Sequence, residues 1–548
     1  AEVGVARDAA GGVRIMGLGT SAQAQDAPLT TRRLLLGPSS VEFSDAKLMI
    51  RDVRFGDKPL TLGLRIQIQR EGLSQRIHGE IQLPDSRDSI AISGQLGIDE
   101  SSSNWLANLH VGGRDIRLAP LARLMPGATL PGANARLDLS AKLRFTNGVL
   151  TRATGRVNLN TLDLLPDDPL PGPAELGGAF EYSPVEDGWL LQVSGLGVTG
   201  ALQKWRAKNA RLRYRVGTQG APGRYTAKLS SAQVEDVLAL IAYLEPGTED
   251  IDEIRQYRVQ GNATEVSAAW LDVGTGDAPF AAAFTFDSLA WPERVGENWG
   301  LTGIAGFASI TPQGGIINLA SDAPVHISAS DVFTRPLRFD TFTGTLSLDR
   351  TDGRIAVRSE GVDARGPELN ARVSGDITSD AAPSLALDIS IKIPRLTPKQ
   401  MQALLPSPIF PSQFNRWLNA AVKSGTVEQT NILLKGRATE LTVAPDNDSV
   451  VVRGLMQKIK LDFAPGWPAF EALTGPFEVK RGRLNIEPAS ARLYATDIAV
   501  NARIDNLAKP QPAMALALKS RGSVKDLLKL LLSSPIAGQL PDAVKRMS

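Results

Sequence analysis

The sequence contains no cysteine and only three histidines, so it has few of the residues that carry catalytic chemistry. The absence of cysteine excludes disulfides, thiolate nucleophiles and cysteine-bound metals. His78, His110 and His326 are far apart in the chain, and none has a second histidine at the spacing of a zinc motif. We therefore predict no metal, no cofactor and no catalytic residues, and the chain is not expected to be an enzyme.

Aromatic residues are also scarce, at 5% of the chain, and neither sign of charge is in excess. With 60 basic and 58 acidic side chains, the formal net charge is +2. Such a balance gives no long-range attraction toward nucleic acid, which is not predicted as a partner. No stretch reaches the roughly 18–20 apolar residues that a membrane-spanning helix needs. Near the start, Arg14 interrupts any apolar core of a signal peptide, so residues 1–37 are predicted to be an irregular leader.

What the sequence has in abundance is alternation of apolar and polar residues. In residues 135–145, every second residue is apolar and its neighbours are polar. This period of two is typical of a β-strand with one apolar and one polar face. The pattern recurs in residues 60–69, 90–98 and 385–393, and turn-forming pairs such as Asn147-Gly148 separate the runs. The chain is therefore predicted to be all-β and antiparallel from about residue 40 to 520.

Helices are predicted to be few and short. Leucine-rich segments that end in proline follow several strands, which indicates a diverged internal repeat. We expect helices near residues 115–125, 232–245, 397–405, 412–424 and 523–532. Two tryptophans, Trp417 and Trp467, are expected to anchor a helix or turn against the sheet. The chain is divided into the leader at 1–37, a β-repeat region at 38–393 and a second at 394–548.

A glycine motif at Gly195, Gly197 and Gly200 matches the spacing of dinucleotide-binding loops. No acidic residue lies between Asp187 and Glu235, so the carboxylate that would bind a ribose is missing. No alternation of strands and helices surrounds the motif. The glycines are better explained by a bend in the sheet.

The apolar face of such a sheet must be covered by a second sheet, by helices or by lipid. The predicted helices are too few to cover it. Either the sheet folds over on itself, as in a structural or adhesive surface protein with a closed core, or it leaves a trough that another molecule fills. Medium-sized aliphatic residues line the strands, and aromatic core residues are few, which favours the trough.

Two segments, "FNRWLNAAVKSGTVEQTNILLKG" at 414–436 and "IKLDFAPGWPAFEALTGPFEVKRGRLNIE" at 459–487, resemble the AsmA-like family, and within it the YhdP-type proteins. The resemblance implies an elongated, U-shaped, groove-like antiparallel sheet and a non-enzymatic bridge for phospholipid between the inner and outer membranes of a Gram-negative-type envelope. It also implies a periplasmic location, with an inner-membrane anchor helix that this chain lacks. Phospholipid and the membranes at both ends of the full-length protein are the implied partners, and other envelope proteins stay open as partners.

The residues predicted to line the groove are aliphatic or aromatic positions from the alternating runs. They are Leu62, Leu64, Ile66, Ile92, Leu137, Leu139, Leu143, Phe145, Leu387, Ile389, Ile391, Leu461 and Phe463.

Overall fold

The structure is a computed structural model that divides the chain into two compact units, Ala1–Phe284 and Thr285–Ser548, called unit 1 and unit 2. The predicted division at residue 393 rests on sequence resemblance and stays a prediction. The structure describes residues 2–7, 13–16, 39–52, 60–72, 74–84, 86–98, 105–122, 134–147, 149–162, 164, 172–218, 220–244, 258–272, 279–293, 299–329, 333, 335–351, 354–379, 385–404, 412–441, 447–494, 496–507, 509, 513–520 and 524–539.

Unit 1 is built from long strands joined mostly by short turns. They are β1 (Glu2–Arg7), β2 (Val13–Met16), β3 (Ser40–Asp52), β4 (Leu60–Glu71), β5 (Ser74–Gln82), β6 (Ser89–Ile98), β7 (Trp105–Arg117), β8 (Arg136–Thr146), β9 (Val149–Asn160), β10 (Glu175–Val185), β11 (Gly188–Thr199), β12 (Lys204–Arg215), β13 (Gly223–Gln233), β14 (Gln260–Asp272) and the start of β15 (Phe280–Trp291). From β3 to β14 each strand pairs antiparallel with the next strand along the chain. The predicted antiparallel fold is confirmed.

One pairing in unit 1 is parallel, between β1 and β3. β1 also pairs antiparallel with β2. Both strands lie in the segment 1–37, which the sequence predicts to be an irregular leader. Their alternation extends over only a few residues between glycine-rich stretches, and a pattern that short is not distinctive.

Unit 2 repeats this construction. Its strands are the rest of β15, β16 (Trp299–Thr311), β17 (Gly314–Ser321), β18 (Val325–Ala329), β19 (Leu337–Phe339), β20 (Thr341–Thr351), β21 (Arg354–Arg365), β22 (Asn370–Ser379), β23 (Ala386–Leu396), β24 (Val422–Arg437), β25 (Val450–Leu461), β26 (Phe470–Lys480), β27 (Arg483–Leu493), β28 (Thr496–Ile504) and β29 (Met514–Ser520). β16 pairs with β17, β17 with β20, and pairing continues in chain order to β29, antiparallel throughout. β18 and β19 form a short branch beside β16.

The α-helices among the described residues are short, and in each unit they lie at one set of strand ends. They are α1 (Leu118–Ala122), α2 (Val234–Leu244), α3 (Pro398–Leu404), α4 (Ser412–Ala421) and α5 (Val524–Ser533). In unit 1, α1 follows β7 and α2 follows β13, and these strands end on the same side of the sheet. In unit 2, α3 and α4 lie between β23 and β24, and α5 follows β29 on the same side. We call this side of each unit the helix end and the opposite side, with its short turns, the turn end.

Helix α2 is fixed to the sheet of unit 1 by a buried carboxylate. Asp236 is 3% exposed, and it accepts hydrogen bonds from the Trp205 indole N–H at 2.7 Å and from the Ala201 backbone N–H at 3.0 Å. A side chain at Gly200 would collide with this carboxylate, so glycine is required there. Gly200 thus allows a helix to pack against the sheet.

Candidate functional site

In unit 1 the strand register aligns apolar residues into continuous rows across the sheet. Following directly paired residues from β3 to β14 gives one row, called row A, with one residue from each strand. Row A is Phe43, Ile66, Gly79, Ile92, Val111, Ala141, Gly155, Phe180, Val193, Ala210, Leu229 and Val266. It contains no polar side chain, so the apolar face is unbroken across these strands.

A second row runs beside row A on the same face, two residues nearer the turn end along each strand. Row B is Val41, Ile68, Ile77, Gly94, Leu109, Leu143, Ala153, Tyr182, Leu191, Leu212, Ala227 and Ala268. Its one polar atom is the Tyr182 hydroxyl oxygen. The two rows together form a broad apolar stripe.

Unit 2 has an equivalent row, called row C, which runs from β16 through β17 and β20 to β29. Row C is Gly306, Leu319, Gly344, Val362, Val373, Ile391, Ile432, Val452, Val479, Leu484, Ile504 and Met514. Every member is aliphatic, a methionine or glycine. Each unit therefore carries its own apolar face.

These faces are covered at the helix end and more open toward the turn end. In β23, Ile393 and Leu396 at the helix end are buried, Ile391 is half-buried, and Leu385, just before the strand at the turn end, is 46% exposed. In unit 1, Leu137 at the helix end of β8 is buried, whereas the larger residues toward its turn end are half-buried. The face is thus covered along the helix end and more open along the turn end.

The last part of unit 2 departs from this pattern because its apolar face is filled. Residues of β27 and β28 that face inward are buried along the whole strand, and Leu473 is 1% exposed. The Trp417 indole of α4 lies over them and donates a hydrogen bond to the Phe463 carbonyl at 2.8 Å. Only about 20 Å³ of free space remains among these side chains. This part is a closed core, and Trp417 and Trp467 act as packing anchors there, as predicted.

The structure brings most of the predicted groove residues onto these faces. In unit 1 the residues on the face of rows A and B are Leu62, Leu64, Ile66, Ile92, Leu137, Leu139, Leu143 and Phe145. In unit 2, Leu387, Ile389 and Ile391 share the face of row C.

Four of the predicted residues lie where the face is covered. Leu62 is 5% exposed and Leu137 is 9% exposed. Leu461 and Phe463 belong to the filled part of unit 2, where Phe463 is 7% exposed and stacks on Phe470 at 5.0 Å. That any of the thirteen residues contacts lipid stays a prediction.

Sequence reasoning missed an aromatic group at the turn end of unit 1, called the aromatic ladder. It consists of Trp189, Tyr214, Tyr225 and Trp270, on neighbouring strands β11 to β14. Consecutive ring centroids are 5.9, 4.7 and 5.3 Å apart. These residues are spread over some eighty positions of sequence, and only the register joins them. The sequence feature that these four residues have in common is that each lies within three residues of a strand end.

The polar face of unit 1 carries a concavity of about 920 Å³ over β9 to β14. Its lining includes Glu181, Gln192, Arg211, Lys228 and Glu265, but no histidine. A nucleophile paired with a base would be expected in an active site of the hydrolytic kind. Within the described part of the chain, no group of three or more acidic or histidine side chains is placed to bind a metal ion.

The glycine motif lies in a hairpin of strands rather than before a phosphate-binding helix. Gly195 and Gly197 are in β11, Gly195 with a φ of 61°, and the chain continues from Gly200 into β12. A dinucleotide-binding loop requires a strand followed directly by a helix. The observed bend is the structure that the sequence favours at these glycines.

None of the described helices is long and apolar enough to cross a membrane. A family model described as the YhdP protein matches residues 16–548 of the chain. No curated protein and no solved structure matches the chain.

Proposed function

Because the chain belongs to the YhdP family, we propose that it is a non-enzymatic lipid-transfer protein that carries phospholipid acyl chains along its apolar faces. The proposal places it in the periplasm of a Gram-negative-type envelope, as a bridge between the inner and outer membranes. Phospholipid and the two membranes are its proposed partners. The observation that supports this most is the unbroken apolar stripe of rows A and B, which is open toward the turn end.

The physical reason is the cost of moving a lipid through water. Exposing acyl chains costs about 0.8 kcal/mol per CH₂, so two chains face an opposing free energy of roughly 20 kcal/mol or more. An apolar stripe that is continuous from strand to strand removes most of that cost at each position. Movement along it breaks no covalent bond, which is why a transfer protein of this kind needs no catalytic residues.

The alternative is a structural or adhesive β-rich protein with a closed core. The filled part of unit 2 has the packing such a protein requires, since almost no free volume remains there. Rows A and B do not have such packing, because their larger residues are half-buried. The half-buried stripe therefore favours lipid transfer, and the filled part of unit 2 is proposed to be a structural element of the same protein.

The first test is the lipid content of the purified chain. We expect protein purified without detergent to retain phospholipid, detected by mass spectrometry of the denatured sample, because the open stripe is stabilised when acyl chains cover it. A variant with Leu143→Asp in row B should retain markedly less. The control Lys142→Asp changes the exposed neighbour on the same strand and should retain as much as the parent chain. Soluble, folded parent protein without lipid would favour the structural alternative.

A further inference from the structure

The aromatic ladder borders the apolar stripe of unit 1 at its open, turn end. Along β12, Tyr214 follows Leu212 of row B on the same face, and Tyr225 of β13 pairs directly with it. All four rings of the ladder are half-buried. Tyr182 of row B joins the group, with its ring centroid 6.3 Å from that of Trp189. The ladder therefore separates the hydrocarbon-like face from water along β10 to β14.

Several polar atoms of the ladder are available to a ligand. The Tyr214 hydroxyl donates a hydrogen bond to Asp272 at 3.2 Å. Within the described residues, the indole N–H groups of Trp189 and Trp270 and the Tyr225 hydroxyl have no protein hydrogen-bond partner. Burial, reinforced by the charge of Asp272, raises the pKa of Tyr225, so its phenol stays protonated at neutral pH. The ladder thus presents donors beside an apolar surface.

Cross-strand aromatic pairs also stabilise sheets by themselves. Packing alone, however, is satisfied by phenylalanine and does not call for tyrosine and tryptophan at every position. Tyr and Trp are the side chains that prefer the boundary between hydrocarbon and water, because one end is apolar and the other polar.

The helix end of the same strands is closed to a headgroup. Helix α2 lies there, held by the buried Asp236, and Ala232 and Ala207 at the same end are fully covered. At the turn end, Arg215 and Arg224 are paired residues that alternate with Tyr214 and Tyr225, so they lie on the opposite, polar face of the sheet. The Arg215 guanidinium forms an ion pair with the Asp187 carboxylate, with 3.0 Å between Nε and Oδ2. Asp272, which accepts the Tyr214 hydrogen bond, adds negative charge at the ladder, so the donors of the ladder suit the uncharged glycerol-ester region rather than the phosphate.

From these observations we propose that the aromatic ladder is the binding site for the glycerol-ester region of phospholipids in unit 1. Each lipid lies with its headgroup past the ladder and its acyl chains across rows B and A toward the helix end. The inference rests on the proposed lipid transfer and adds to it a fixed orientation. The polar part of every lipid that moves along this unit would pass the aromatic ladder.

The test uses two single-cysteine variants, because the chain has no cysteine of its own. Tyr182→Cys places a thiol beside the ladder, and Leu176→Cys places one on the same strand and face at the helix end. Each is labelled with a small fluorophore and mixed with vesicles of phosphatidylcholine that carry a nitroxide either on the headgroup or near the end of one acyl chain. The headgroup nitroxide should quench position 182 about fivefold more than position 176, and the chain-end nitroxide should show the opposite preference.

A reversed preference, or equal quenching at the two positions, would overturn the orientation while leaving lipid binding intact. An absence of quenching at both positions by both lipids would overturn the proposed function itself. Adding Tyr225→Leu and Trp270→Leu should abolish the headgroup preference at position 182, in a protein whose circular dichroism spectrum shows an intact sheet. If the preference survived these replacements, the ladder would not be the site.

Discussion

Replacing Leu139 by Asp is expected to lower phospholipid transfer by this chain by about a hundredfold, since a charge facing hydrocarbon costs about 2.5–3.5 kcal/mol and each ~1.4 kcal/mol is a factor of ten. Leu139 is half-buried on β8, two residues from Ala141 of row A toward the helix end, and pairs with Val157 and Gly113. An acyl chain passing along the stripe would have to contact the carboxylate or leave the face. The measurement is the rate at which the chain moves a fluorescent phospholipid from donor to acceptor vesicles.

The matched control is Ser140→Asp, which adds the same charge to the exposed neighbour on the opposite face of β8. Its transfer rate should equal that of the parent chain. Leu139→Met keeps the position apolar and should also transfer normally, and circular dichroism of all three variants checks that the sheet is intact. Normal transfer by a folded Leu139→Asp protein would show that lipid does not use this face.

Replacing Trp417 by Ala is expected to destabilise the filled part of unit 2 by about 3 kcal/mol, the low end of the range for tryptophan to alanine, because the indole is half-buried. The indole covers the residues between β25 and β29, and its hydrogen bond to the Phe463 carbonyl fixes α4 over them. Loss of the ring leaves a cavity and an unpaired carbonyl. Hydrogen exchange of the backbone amides of β26 to β28 measures the effect locally.

Trp417→Phe should lose less, because it keeps most of the ring volume and removes mainly the hydrogen bond, worth about 0.5–1.5 kcal/mol. Arg416→Ala changes an exposed residue of the same helix and should leave the exchange rates within about 0.5 kcal/mol of the parent. If Trp417→Ala raised the exchange rates of these amides no more than Arg416→Ala did, the closed core would be contradicted.

The strands and their apolar faces could be predicted because they depend on local alternation. Residues 135–145 give β8, and 385–393 give most of β23, with the predicted faces in both. The helices could be placed because a short leucine-rich segment after a strand has a different period. Helix α4 ends at Ala421, before the predicted 424, because Val422 already pairs with Leu461 in the sheet.

What could not be predicted depends on register and on packing across strands. The aromatic ladder joins Trp189 to Trp270 through hairpins whose alignment no single strand encodes. Whether a face is open or filled was equally hidden, since Ile389 and Leu461 have similar alternating neighbours. The first is half-buried and the second lies under Trp417, which reaches it from a helix more than forty residues away.

The central claim is that lipid contacts the row faces and not the polar faces, and position-specific cross-linking tests it most directly. A photo-reactive amino acid is placed at Val193 of row A or Val373 of row C, and in separate proteins at the exposed neighbours Gln192 and Arg372. After illumination with radiolabelled phospholipid in the membrane, the account predicts adducts at 193 and 373 and only background at 192 and 372. Equal labelling of the two faces, or none at either row, would contradict it.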